Sequence, residues 1–285
     1  MKSETKTTAG RADILIKWIM FTAAITGLGL LAAFYPIAGN VPIVVIPSVL
    51  VLILAKPVFF ERMKLMTLLL MRIIIVFAAL MLFNPQVYVD VIMLMLIVNI
   101  LEATFTDLLR YKRYFNAITG FVLAFAVVTL RCLWQWDAPF GKYYLAQGVV
   151  PAVTVCYIIA YTIWNWIFVT NEFSPSVALM HVGFLLAPIL GTVVTLDMGV
   201  FGGLGMWLVM RGGTLAIGGW MQIGAKDWFE REFRSEKFAA FVQWTKGRTV
   251  QLILMLVNLA LLGYALYLTF AHGGIVYEFP PFFLP

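Results

Sequence analysis

The stretch "VNILEATFTDLLRYKRYF", residues 98–115, begins as an apolar helix and ends as a basic patch. An apolar run of helical length that stops at Arg110, Lys112 and Arg113 reads as the end of a membrane-spanning helix, because cationic clusters collect at one face of the bilayer. Inside the apolar part lie Asn99 and, one turn later, the carboxylate of Glu102, with Asp107 near the basic end. An ionisable group at such a position needs a partner, water or a task.

The composition extends this reading to the whole chain. Of 285 residues, 62% are hydrophobic and only 12% charged, about half the charge of a soluble domain. With a mean hydropathy of +0.95, the lipid bilayer is the expected partner of most of the surface. Fifteen of the 20 Lys and Arg fall in four clusters, at 2–11, 56–64, 110–113 and 226–248. Basic clusters flanking apolar runs explain the net charge of +6 without nucleic acid. Cys132 and Cys156 form no spaced motif, so neither a disulfide framework nor a metal cluster is expected. The first apolar run is too long for a cleaved leader and reads as an uncleaved span.

Nine segments approach the length a spanning helix requires: approximately 13–35, 40–55, 65–83, 87–106, 116–134, 147–170, 176–196, 200–223 and 250–271. The second is short, contains Pro42 and Pro47, and could be re-entrant. The expected fold is therefore an all-α, polytopic transmembrane bundle forming one domain over 1–285. A cytoplasmic N-terminus, with 1–12 as its tail, puts every basic cluster on one side. The loops around Asn84-Pro85, Trp136-Asp137 and Asp197 then fall on the other side, with a short outer tail at 272–285. Residues 226–248 carry both signs of charge with Phe229, Phe233, Phe241 and Trp244 on one face, as an amphipathic helix in the cytoplasmic interface would. The eighth span holds seven glycines between Gly202 and Gly219. They predict close helix contact, or else a helix broken at Arg211-Gly212-Gly213.

A charge within the hydrocarbon costs at least ~2.5–3.5 kcal/mol on insertion scales, which singles out a few residues. Glu102 lies eight residues before Arg110 and Arg72 eight residues after Lys64, so both sit about 12 Å below the same boundary. An Arg72–Glu102 ion pair is the simplest account of both. Asn165, His181 and Asn258 reach a similar depth from three other spans. On the sixth span Thr154, Tyr157, Tyr161, Trp164, Asn165 and Phe168 share one face, as in a pocket wall. The tight turn at Ser174-Pro175 predicts that Asn165 lies near His181. A second polar layer, Arg131, Asp137, Lys142, Asp197 and Arg211, lies near the outer face. Arg211 is the deepest of these, with Asp197 as its nearest candidate partner. Against a site stands the bland alternative that amides and hydroxyls join membrane helices. No zinc spacing, phosphate-binding loop, dinucleotide motif, Ser-Lys constellation or paired aspartates occurs, so no cofactor, metal or catalytic residue is expected.

"NILEATFTD" (Asn99–Asp107) and "YTIWNWIFVTNEFSPSVALMH" (Tyr161–His181) resemble an uncharacterised bacterial family of polytopic membrane proteins, classed only as a domain of unknown function. Its members show an Asn-x-x-Glu segment followed by an acidic residue. They also show a Tyr-x-x-Trp-Asn helix followed by an Asn, a Ser and a His. The resemblance implies that Asn99, Glu102, Asp107, Tyr161, Trp164, Asn165, Asn171 and His181 belong together, and it implies no activity. The leading expectation is a permease of the cell membrane for a small polar or charged solute. Arg72, Asn99, Glu102, Tyr161, Trp164, Asn165 and His181 would be its site, with Asp107, Asn171, Arg211 and Asn258 in support. The alternatives are a non-catalytic scaffold or sensor and an enzyme acting on a lipid-type substrate. A second copy of the chain is a further candidate partner.

Overall fold

The computed structural model describes residues 2–138 and 141–275, without the side chains of residues 2–11, 60, 136–138 and 142. Most side chains of the expected N-terminal tail, those of Asp137 and Lys142, and residues 276–285 of the expected outer tail therefore lie outside the described residues. What is described is a helical bundle. Seven of its helices are long and apolar enough to cross a membrane.

Prolines and caps divide the chain. Helix α1 (Lys2–Phe34) stops at Tyr35, whose φ of −123° is the extended backbone that a following proline enforces. Helices α2 (Pro36–Asn40) and α3 (Ile46–Leu54) then form one apolar path. Pro42 and Pro47 each lack a donor, and the backbone of 41–45 widens so that Ile46 donates to Val41, five residues back. Asn40 is fully buried and donates to the carbonyls of Ala32 at 3.0 Å and Pro36 at 2.8 Å. It thereby fills the gap in bonding that the α1–α2 break leaves.

Helix α4 (Phe59–Leu80) ends on Met81 in a left-handed conformation, φ 57°. Asn84 caps α5 (Pro85–Phe105) by accepting from the Gln86 amide at 3.0 Å, so α4 and α5 are antiparallel neighbours. A further wide turn carries α5 on to Arg110. Helix α6 (Tyr114–Ala126) with its closing turn reaches only Thr129. The expected fifth span to 134 is thus corrected to end at Thr129, and one short hairpin follows it within the helical bundle. Residues 131–147 form an antiparallel hairpin, β1 (Arg131–Ala138) and β2 (Gly141–Gln147), with Cys132 opposite Ala146 and Trp134 opposite Tyr144. Along β1 exposure alternates, with Cys132 and Trp134 buried and Arg131 exposed. Along β2, Tyr143 to Ala146 are all buried, so protein covers both faces of this strand.

Helices α7 (Pro151–Glu172) and α8 (Pro175–Val194) meet at the Ser174 cap, which accepts from the Val177 amide at 3.3 Å. Short turns over 196–201 and 203–205 precede α9 (Met206–Gly224). The irregular backbone lies there, with Gly199 and Gly203 left-handed at φ 58° and 59°, and α9 runs unbroken through Arg211-Gly212-Gly213. The eighth span therefore becomes helical at 206 rather than 200. The expected single helix over 226–248 is two, α10 (Lys226–Glu232) and α11 (Glu236–Thr245), before α12 (Arg248–Ala271). Phe229 and Phe233 turn inward onto Phe21, at 5.5 and 5.7 Å, whereas Phe241 and Trp244 stay exposed.

The bundle has two chemically distinct ends. At the charged end Lys17 meets Glu232 at 3.0 Å, Lys64 meets Glu172 at 3.0 Å and Ser174 donates to Glu230 at 2.5 Å. Hydrogen bonds from Arg231 and Lys17 hold the Glu232 carboxyl below the usual range. At the hairpin end the Gln86 amide donates to the Cys132 carbonyl at 2.8 Å and accepts from the Trp134 amide at 3.1 Å. There too the Tyr143 hydroxyl donates to Phe201 at 2.8 Å.

Asn40→Ala removes both bonds across the α1–α2 break and is expected to lower stability by about 2 kcal/mol. Thermal unfolding of the purified protein measures this, and an unchanged melting temperature would remove Asn40 from the account of the break.

Candidate functional site

At the charged end a cleft of about 700 Å³ lies between the start of α4, the end of α5, the α7–α8 turn and the α9–α10 junction. Glu102 lines it, and the charged groups that act on Glu102 are Lys64 and Glu172. Lys64 bridges to Glu172 and rests its ammonium 4.4 Å from the centre of the Phe168 ring. Gln222 also lines the cleft and hydrogen-bonds His181 Nε2 at 3.0 Å. His181 itself is stacked behind that wall on Phe173, ring centres 4.8 Å apart. Tyr111 also lines the cleft, and burial raises its hydroxyl above the ordinary value.

One turn deeper is a second, small cavity of about 20 Å³. Four helices line both spaces, α7 through Glu172 at the cleft and Tyr161 at the cavity. Along α4 the cleft has Lys64 and Leu68, and the cavity has Leu68 and Arg72; on α5, Glu102 gives way to Asn99; on α9, Gly219 gives way to Leu215, Gly212 and Arg211. Leu68 borders both spaces and separates them. From α7 comes Tyr161, and from β2 comes Tyr144, which hydrogen-bonds Arg72 and closes the cavity toward the hairpin end.

Arg72 and Arg211 are each 2% exposed, and among the described residues neither has a carboxylate within ion-pair distance. Arg211 donates to Asn165 Oδ1 at 3.1 Å and to the Phe184 carbonyl at 3.4 Å, and lies 5.5 Å from the Tyr161 ring centre. Arg72 lies against Gly212, where any Cβ would collide with its guanidinium. Among the described residues, Nε of both arginines is buried without a hydrogen-bond partner.

The expected Arg72–Glu102 ion pair does not form, although depth alone made it plausible. Glu102 faces the cleft and its cations, whereas Arg72 turns toward α9 and β2. Asn165 meets Arg211 rather than His181, and Arg211 points into the core while Asp197 is exposed. The α7 stripe is chiefly core. Thr154 accepts from the Gly148 amide, and Trp164 stacks on Phe168 at 6.2 Å and accepts at its carbonyl from Asn116 at 3.3 Å. Asp107 also takes the Asn116 amide, which holds the end of α5 to α6. Asn171 and Asn258 line neither space, and their amides have no partner among the described residues. The expected site thus divides into Glu102, with His181 behind Gln222, at the cleft, and Arg72, Asn99, Tyr161 and Arg211, backed by Asn165, at the cavity.

No protein-family model, curated protein or solved structure matches the chain.

Because Glu102 and Arg72 occupy separate spaces, the stability losses of Glu102→Gln and Arg72→Gln are expected to add within about 0.5 kcal/mol in the double variant. Recovery of stability in the double variant would restore the direct ion pair.

Proposed function

We propose that the chain is a multi-pass protein of the cell membrane and a permease for a small polar or charged solute. A charged cleft and a small cavity lie in line along α4, α5 and α9, one helical turn apart, and this single observation carries the reading. Nine crossings with a cytoplasmic N-terminus fit it: the seven long apolar helices, with α6 and α9 completing the bundle. The charged end then faces the cytoplasm, where basic clusters belong. Glu102 is the coupling carboxylate at the inner mouth, Leu68 the barrier below it and Tyr144 the barrier toward the hairpin. The family resemblance of the Asn99–Asp107 and Tyr161–His181 segments is consistent with this reading, since both segments contribute to these two spaces.

A second reading, a lipid-type substrate held in the cleft, draws on the exposed apolar side chains of Val58, Met63, Phe105 and Leu109 among its lining residues. These could admit an acyl chain laterally, whereas a path through the bundle needs only small solutes.

Reconstitution into liposomes separates the two. Stopped-flow light scattering with neutral, anionic and cationic small solutes is expected to show faster swelling than empty vesicles for one class. Leu68→Ala should raise that rate several-fold and Glu102→Gln should change it. Rates equal to empty vesicles for every solute, in wild type and Leu68→Ala alike, would contradict a permease.

A further inference from the structure

We infer that the charged cleft binds an organic ammonium compound, with its cationic nitrogen on the Glu102 carboxylate and its apolar body on the cleft wall, and that the bound compound blocks the path at Leu68. The first half stands on the cleft alone; the second rests on the permease reading above.

Four carboxylates and three cations line the cleft, and the fold already occupies most of them. Lys64 joins Glu172 at 3.0 Å, and Ser174 donates to Glu230. Glu61 lies in the first turn of α4, where the helix dipole favours a carboxylate. Arg110 lies 5.2 Å from the Tyr111 ring centre, and Lys226 is exposed. Glu102 differs from all of these. It is half-buried within a long apolar helix, and among the described residues its carboxylate has no ion pair and no hydrogen bond. With Lys64 and Glu172 it makes a group of one cation and two carboxylates, and the Lys64 ammonium is further held over the Phe168 ring. A charge placed inside a span calls for a partner, and a cation brought by a ligand supplies it.

The shape and lining of the cleft decide which cation. Among the described residues no group of three or more His, Cys, Asp or Glu could hold a metal ion, so an inorganic cation finds too few oxygen ligands. It would also leave most of about 700 Å³ empty, a volume that suits a small organic molecule. Leu65, Phe105, Phe173 and Val177 supply apolar wall. Phe105 follows Glu102 by three residues on α5, which sets a ring beside the carboxylate. A ring and a carboxylate together favour a weakly hydrated ammonium nitrogen. A lipid headgroup carries the same nitrogen but stays at the boundary, about 12 Å outward of Glu102 by helical rise. A free compound takes its charge in with it. Beyond Leu68 the space is only about 20 Å³, so a body that fills the cleft stops there.

The test melts the unmodified protein in detergent with benzyltrimethylammonium, benzyl alcohol or benzoate at equal ionic strength, one ring carrying a positive, no or a negative charge. At a hundred-fold excess over its dissociation constant, the cation is expected to raise the melting temperature by about 5 °C or more over the other two. Glu102→Gln should abolish the rise, and Glu102→Asp should keep part of it. Thr106→Phe, which narrows the cleft and leaves Glu102 in place, should weaken the rise and keeps the site testable if Glu102→Gln does not fold. Equal melting with all three compounds overturns the site, as does a full rise in Thr106→Phe. A rise in phosphatidylglycerol nanodiscs that vanishes in phosphatidylcholine nanodiscs assigns the cleft to a lipid headgroup and overturns the free ligand. Stopped-flow swelling of proteoliposomes in urea, sodium formate or methylammonium chloride then decides the second half. A rise in melting together with swelling slowed several-fold by benzyltrimethylammonium supports both halves. A rise with unslowed swelling keeps the site and overturns the block. Swelling faster than empty vesicles, with no rise in melting, overturns both halves and leaves the permease reading intact. Swelling equal to empty vesicles for every solute contradicts the permease and the block together, and the melting curves still decide the site.

Discussion

Two guanidinium groups buried without a counter-charge among the described residues are the constraint on which the rest of this bundle depends. On insertion scales each costs at least ~2.5–3.5 kcal/mol at the centre of a spanning helix. Breaking the partnership of a buried charge is costlier still. The surrounding elements are arranged around that demand. Helix α9 supplies Arg211 and, at Gly212, the bare backbone against which Arg72 of α4 lies. Asn165 and Tyr161 of α7, Phe184 of α8 and Tyr144 of β2 turn their polar or π-rich groups toward the pair. Four helices and a strand therefore share one electrostatic centre.

The hairpin is the least expected member of this set and the most informative. Helix α6 stops short, and the chain spends residues 131–147 on two strands, the second of which is covered on both faces. Tyr144 thereby reaches Arg72 from the hairpin end, while Leu68 stands between the cavity and the charged cleft. Charges of both signs line the cleft, where Lys64 and Glu172 are joined and Glu102 is a further carboxylate, whereas the two arginines border the cavity beyond Leu68.

Much of the bundle was legible from hydropathy and punctuation. Pro36, Asn84-Pro85 and Ser174-Pro175 mark the boundaries, because a proline excludes the helical conformation before it and accepts the first helical position. The depth argument put Arg72 and Glu102 in one layer, whereas Glu102 lines the cleft and Arg72 the cavity one turn further along. It could not fix direction around each helix, and there the Arg72–Glu102 pairing failed. The hairpin was missed for a related reason: apolar residues of 116–134 satisfy a length criterion whether helical or extended. The alternation in "RCLWQW" and the Pro139 and Gly141 that follow were the available signal. Arg211 was ranked as secondary because only the neighbouring glycines set it apart, and nothing in one sequence says which arginine a glycine faces.

The most direct measurement of the central claim is a crystal structure of the chain in a lipid environment. Arg72 held by the Tyr144 hydroxyl and Arg211 held by Asn165 and the Phe184 carbonyl, with no carboxylate at ion-pair distance from either guanidinium, is the predicted result. A carboxylate side chain drawn up to either guanidinium would contradict the account.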